Sequence, residues 1–153
     1  MKAEHVNAFV VATTEVIATM ASLKVIPAKA YLKKEDLATG DVSSIVGLTG
    51  TPTGSFSLSF DTESILKITS KLFNEEITEL DSDVAEAAGE LANMISGQAR
   101  KTIEEKGDLC DGAIPTVVAG EGHNLMHITN GPKIAVPFTL DKAKITLEVC
   151  FEV

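Results

Sequence analysis

The stretch Ser55-Phe-Ser-Leu-Ser-Phe60 constrains the fold of this chain more than any other. Apolar residues at every second position mark an extended strand with one buried face, because a strand sends successive side chains to opposite sides. Just before it, Gly50-Thr-Pro-Thr-Gly54 gathers residues that break extended structure, and Ser43 to Leu48 forms a partner run. Together they predict a β-hairpin over 43–60, with Phe56, Leu58 and Phe60 inward and the serines outward. The alternation returns at the end of the chain, where Ile145, Leu147, Val149 and Phe151 interleave with Thr146, Glu148, Cys150 and Glu152. Between these segments, Pro115–Ala119, Leu125–Thr129 and Lys133–Leu140 also read as strands, set apart by the turns Gly120-Glu-Gly122 and Asn130-Gly-Pro132. Residues 28–34 read as one more, ending in Lys33-Lys34-Glu35-Asp36 as a solvated turn.

Three helices complete the pattern. Over 4–23, Val6, Val10, Thr13, Ile17 and Met20 recur at three- and four-residue intervals, and Pro27 lies beyond the end. A short helix is predicted over 62–73, with Ile65, Leu66, Ile68, Thr69 and Leu72 inward and Asp61 or Thr62 as its N-cap. A long one follows over 82–105, stopped by Gly107. Strands joined by short turns favour antiparallel pairing, so the fold class is α+β: a mostly antiparallel sheet with helices packed on it. No linker or low-complexity tract interrupts the 153 residues, which are expected to form a single domain. Both halves run helix-then-strands, a hint of internal duplication.

A formal charge of −9 argues against DNA, RNA or an anionic membrane as partner, because no basic stripe exists to meet phosphates. No apolar run approaches the roughly 20 residues of a membrane span, and Met-Lys-Ala-Glu-His does not open like a signal peptide. A cytoplasmic protein is expected. Cys110 and Cys150 show no Cys-x-x-Cys spacing and read as reduced packing residues, with a bridge between them left open. His123 and His127 stand four apart, but on a turn entering a strand and with no third ligand, so no metal site is assigned. Nucleotide-binding glycine loops are absent from the sequence.

Chemistry concentrates on the long helix. On a wheel of 100° per residue, Val84, Ala88, Leu91, Ile95 and Thr102 share one stripe. Glu86, Glu90, Asn93, Gly97 and Glu104 gather opposite it, roughly 100° to 160° from Leu91 by the same arithmetic. Glu90 and Asn93, three residues apart, project side by side and could hold a water molecule and a cation on a partner's surface. Gly97, with Gly89 nearby, leaves a flat spot for close approach. A polar face is also what any surface helix shows, and Asp83 with Glu86 resembles a capping box, which would make Glu86 structural. Glu4 and Asn7 repeat the Glu-x-x-Asn spacing on the first helix, where Asn7 leans toward the apolar side. That copy is given little functional weight.

Several blocks in order carry a wider likeness: Gly89-Glu-Leu-Ala-Asn-Met94 with Ser96-Gly97, Pro115-Thr-Val-Val-Ala-Gly120, Val46-Gly-Leu-Thr-Gly50 with Gly54-Ser-Phe-Ser-Leu58, and the opening helix with Asn7, Phe9 and Pro27-Ala-Lys. In these the chain resembles the CheC/CheX/FliY family over nearly its full length, and its CheX branch most, since one convincing copy of the signature helix is present. Ala92 stands where many relatives have glycine, off the polar face. The resemblance implies a phosphatase that hydrolyses the aspartyl phosphate of a CheY-like response regulator. Asn93 would position the attacking water and Glu90 would pair with the regulator's lysine, with Glu86 and Gly97 at the contact. It implies no cofactor of the chain's own, a Mg²⁺ ion supplied by the bound regulator, and a homodimer. A non-catalytic docking module, akin to the middle domains of flagellar switch proteins, is the alternative within the same fold.

Overall fold

The computed structural model describes residues 3–127 and 129–152. Its elements run α1 (Ala3–Ala21), β1 (Ile26–Pro27), β2 (Tyr31–Lys33), β3 (Val42–Gly50), β4 (Gly54–Phe60), α2 (Thr62–Phe73), α3 (Ser82–Glu105), β5 (Cys110–Gly112), β6 (Thr116–Ala119), β7 (Lys133–Leu140) and β8 (Ala143–Phe151). All strands pair antiparallel in one sheet, ordered β1-β7-β8-β4-β3-β5, with β2 also on β7 and β6 also on β3. This is the α+β arrangement the alternation predicts.

One face of the sheet carries the apolar core. The register sets Phe56, Leu58 and Phe60 of β4 beside Val149, Leu147 and Ile145 of β8, and those beside Ile134, Val136 and Phe138 of β7. Helices cover this face. Phe9 of α1 stacks against Phe56 and Phe151 at ring-centroid distances of 4.7 and 5.8 Å, a spacing favourable for tilted aromatic pairs. The buried face of α1 centres on Phe9, Ala12 and Val16; Met20 is exposed and Val6 and Val10 are half-buried. Thr13 and Ile17 of the predicted stripe are buried as expected, while Ala8, Phe9, Ala12 and Val16 take the places that periodicity gives to Val6, Val10 and Met20. The helices at 62–73 and 82–105 fall where periodicity puts them. Asp61 caps α2 by accepting from the Ser64 N–H at 2.8 Å.

The other face departs from the sequence reading. β4 is buried along its whole length, serines included, and Glu148 and Cys150 of β8 are as inaccessible as the valine between them. The segment after β6 lies over this face. His127 hydrogen-bonds Ser55 Oγ through Nδ1 at 2.7 Å and Glu148 Oε1 through Nε2 at 3.2 Å. Lys33 Nζ donates to Glu148 Oε2 at 2.6 Å. Lys33, read as part of a solvated turn, is in fact 4% exposed. A buried ion pair is tolerated when each charge is matched and hydrogen-bonded. Burial pushes the Glu148 carboxyl up, but the hydrogen bonds from His127 and Lys33 outweigh it and hold the group below its ordinary range. Residues 125–127 are not a strand, because the backbone there serves other bonds: Leu125 N–H donates to Asp36 O. Residue 128 of that predicted run lies outside the described residues.

The hinted duplication is visible in the pairing. Pro27 pairs with Phe138, two residues before the end of β7; Gly112 pairs with Leu48, two before the end of β3. Tyr31 pairs with Ala135 and Thr116 with Ile45, each five before those ends. In both places three residues interrupt the edge, 28–30 and 113–115. Each interruption is pinned by one equivalent bond, Ala28 N–H to Pro137 O and Ala113 N–H to Gly47 O, at 2.8 and 2.9 Å. Each half thus contributes a helix, a broken edge strand and a hairpin, and the broken edge of one half pairs with the hairpin of the other.

Candidate functional site

The long helix starts at its cap. Asp81 accepts from the N–H groups of Asp83 and Val84, at 3.0 and 3.3 Å. The N-cap is thus Asp81 and not Asp83, so Glu86 takes no part in a capping box and is free to act elsewhere. At the other end Gly107, at φ 99°, takes the left-handed conformation that closes the helix. Between these points Val84, Ala87, Ala88, Leu91, Ala92, Ile95, Ser96, Ala99 and Ile103 are buried. Thr102, placed on that stripe by the wheel, is only half-buried, and its neighbour Ile103 takes the place instead.

Glu86, Glu90, Asn93 and Gly97 are all exposed, on the side the wheel assigns them. Glu86, Glu90 and Asn93 line one groove of about 290 Å³ together with Ala85, Gly89, Ile114 and Pro115. Gly97 is not among its lining residues, and open space surrounds its α-carbon. Among the described residues, no hydrogen bond or ion pair engages the Glu90 or Asn93 side chain. An uncommitted carboxylate and an uncommitted amide, held a turn apart on a rigid helix, can engage a cation and orient a water molecule.

The groove's far wall comes from the β5–β6 edge, which the sequence reading missed in part: β5 is too short to show a period. Glycine stands on both sides of this contact, and the approach is tightest at Gly112. A β-carbon on Gly89 would sit 3.4 Å from Val117 Cγ2, and one on Gly112 would come within 2.6 Å of Ser96 Oγ. Arg100 Nε donates to that same Ser96 hydroxyl at 3.1 Å. Any side chain at Gly112 would disturb the packing that seats β5 on α3.

The remaining sequence candidates lie elsewhere. Glu4 and Asn7 are both exposed, so Asn7 does not lean into the core. The Glu4 carboxylate stands 3.9 Å from Lys106 Nζ. Glu4, His5 and Asp108 hold one potential ligand atom each within 4.8 Å of one another, and His5 Nε2 is already bonded to Asp108 Oδ2 at 3.0 Å. Asp108 lies beyond the C-terminus of α3, roughly 25 Å along the helix from Glu90 at 1.5 Å per residue. His123 and His127 serve separate partners, His123 bonding Ser43 Oγ at 2.7 Å. Cys110 and Cys150 are free and buried. Burial pushes the Cys110 thiol up to about 11, which leaves it protonated and unsuited to nucleophilic attack.

With this geometry in hand, the likeness to known proteins can be located. Residues 42–139 match the family model described as chemotaxis phosphatase CheX. The CheY-P phosphatase CheX of Thermotoga maritima is 37% identical over 78 residues, a match spanning half of this chain and half of that protein. The chemotaxis protein CheX of Desulfovibrio desulfuricans is similar over 97% of this chain and 99% of its own, with 41% identity and a TM-score of 0.90. A CheX–CheY–BeF3–Mg²⁺ complex from Borrelia burgdorferi contains a chain similar over 97% of this one and 98% of its own, with 28% identity and a TM-score of 0.81.

Proposed function

The chain belongs to the CheX family of chemotaxis phosphatases, and from that premise we propose that it hydrolyses the aspartyl phosphate of a CheY-type response regulator. The observation that carries this reading is the uncommitted Glu90–Asn93 pair in a single groove on a capped, rigid helix. The named Borrelia complex, of a similar chain with a regulator, supports the choice of partner.

An acyl phosphate needs little covalent help, since its hydrolysis depends mainly on positioning and charge stabilisation. The Asn93 amide accepts from the attacking water and holds it in line with the phosphorus. As water's oxygen bonds to phosphorus, the bond from phosphorus to the carboxyl oxygen breaks. The products are the free aspartate carboxylate and dihydrogen phosphate, whose protons come from the water. An amide suits this place because a second carboxylate would repel the phosphoryl oxygens. Glu90 pairs with the regulator's lysine and fixes the docked orientation. Glu86 lies one turn earlier on the same wall and adds to the acidic edge, while Gly97 lets the partner's surface approach. The regulator brings the Mg²⁺ ion, which neutralises phosphoryl charge; this chain supplies no ligand to it.

The reading is tested by following phosphate release from a phosphorylated CheY-type regulator in the presence of Mg²⁺. Wild type accelerates the loss and Asn93→Ala abolishes most of the gain with an unchanged fold. Regulator binding without faster dephosphorylation would instead identify a docking module. The setting for such a partner is the cytoplasm. A homodimer fits the open β1/β2 edge, where Ile26, Tyr31 and Leu32 stay exposed and can pair across a two-fold axis. Sedimentation should then show a dimer, shifted to monomer by Leu32→Glu.

A further inference from the structure

The groove beside Glu90 and Asn93 has a second wall whose chemistry differs from the first. Ile114 is 90% exposed, the most exposed of the large apolar side chains among the described residues. Scattered apolar residues on a surface are ordinary and carry no meaning alone. Three features set this one apart. It lies in the same groove as Glu90 and Asn93. It stands on a short interruption tethered at both ends, because β5 and β6 both pair with β3 and Ala113 N–H is bonded to Gly47 O. It also has an internal counterpart: the register-matched interruption in the other half reads Ala28-Lys29-Ala30, with a lysine where Ile114 stands. The same backbone device therefore presents a cation in one half and a bare isoleucine in the other, and the isoleucine is the one beside the acid–amide pair.

We propose that Ile114, backed by Pro115, is the apolar docking contact for the regulator, and that it sets affinity while Asn93 sets the rate of the chemical step. The inference rests on the reading of the Glu90–Asn93 site as regulator-binding. It commits to one occupant: the phosphorylated receiver face, with a cation meeting the Glu86/Glu90 edge and an adjacent apolar patch meeting Ile114. The two edges of the groove differ in kind, one anionic and one apolar. A partner can then enter in one orientation only, which is what in-line attack requires. A side chain this exposed when free gains most by being covered, and rigid tethering means little order must be imposed on binding.

The experiment compares wild type, Ile114→Lys, Ile114→Leu and Lys29→Ile on a CheY-type regulator of the same organism. Steady-state dephosphorylation gives kcat and KM, and titration against the beryllofluoride- and Mg²⁺-activated regulator gives Kd. Thermal unfolding checks that each variant folds. Ile114→Lys, which transplants the counterpart residue, is expected to raise KM and Kd about tenfold with kcat within twofold. Ile114→Leu, which keeps an apolar side chain, is expected to retain most of the affinity that Ile114→Lys loses, and Lys29→Ile to match wild type. Unchanged KM and Kd in a folded Ile114→Lys protein overturn the proposal and leave the phosphatase reading intact. Ile114-dependent binding by a wild type that accelerates nothing keeps the docking contact and sinks the catalytic reading. A wild type that binds no CheY-type regulator of the organism overturns both.

Discussion

In the first half of the chain, α1 leads into β1 and β2 across Ala28-Lys29-Ala30; in the second, α3 leads into β5 and β6 across Ala113-Ile114-Pro115. The pairing registers match, and each helix bears an exposed Glu-x-x-Asn. Yet the pair on α3 lines a groove with Ile114 and Pro115, whereas the groove beside the first interruption is lined by Ala30, Tyr31, Leu32 and Ile134, without Glu4 or Asn7. At the first, Glu4 stands near Lys106 and beside the bonded His5–Asp108 pair. α3 carries Gly89 and Gly97, whereas α1 has no glycine. A duplicated backbone is thus not a duplicated site. What differs is local: whether the acid is left uncommitted, whether glycine admits a neighbour, and what stands on the opposing edge.

The sharpest asymmetry between the halves lies at their seam. There β4 meets β8 and the register sets Ser57 opposite Glu148. The Ser57 hydroxyl is buried without a hydrogen-bond partner among the described residues, while Glu148 is bonded to both Lys33 and His127. Making the seam symmetric with Glu148→Ser strands a buried lysine, and unfolding in urea should report a loss of about 3–5 kcal/mol. The pH dependence follows from the same bonds. A carboxyl held below its unfolded value stabilises fully above that value and loses the contribution as pH falls through the folded one. Wild type should therefore lose stability on acidification through and below the ordinary carboxylate range, near 4.5, more steeply than Glu148→Ser. Parallel pH curves for the two proteins would mean the carboxyl is not held down as described.

Next in size is the rate effect. Asn93→Ala should lower acceleration of dephosphorylation about a hundredfold, or about 2.7 kcal/mol, while Asn7→Ala leaves it unchanged. Equal losses from both would make the first corner a working site and erase the contrast between the two corners. Glu90→Gln follows, with a loss of about tenfold or 1.4 kcal/mol, set against no loss from Glu4→Gln.

Sequence alone reached the helix faces and the hairpins, because period 3.6 and period 2 report burial on one side. It placed Glu86, Glu90, Asn93 and Gly97 on the exposed face for that reason. It failed where both sides are buried. Ser55, Ser57 and Ser59 alternate with apolar residues and so read as solvent-facing; a polar side chain reads the same whether it meets water or a buried hydrogen-bond partner. Lys33, His127 and Glu148 were missed together, since each is matched only by residues far away in the chain: 115 positions separate Lys33 from Glu148. The groove's second wall was likewise out of reach, for Ile114 belongs to it only through pairings with β3.

Gly97 offers the smallest effect and the cleanest separation of stability from function. Glycine inside a helix costs about 1 kcal/mol relative to alanine. A β-carbon at Gly97 would meet nothing within 4 Å, so no packing in the free protein accounts for glycine here. Gly97→Ala should therefore raise stability by up to about 1 kcal/mol, seen as a higher urea midpoint. If the bare backbone admits the regulator, the same change should weaken binding a few-fold while kcat holds. Gly89→Ala makes the contrast. Its β-carbon would meet one methyl of Val117 at 3.4 Å, the near edge of ordinary van der Waals contact, so there the added group packs against the neighbouring strand instead of facing open space. A Gly97→Ala protein that is more stable and binds just as well would remove Gly97 from the docking surface, leaving that role to Glu86, Glu90 and the wall opposite them.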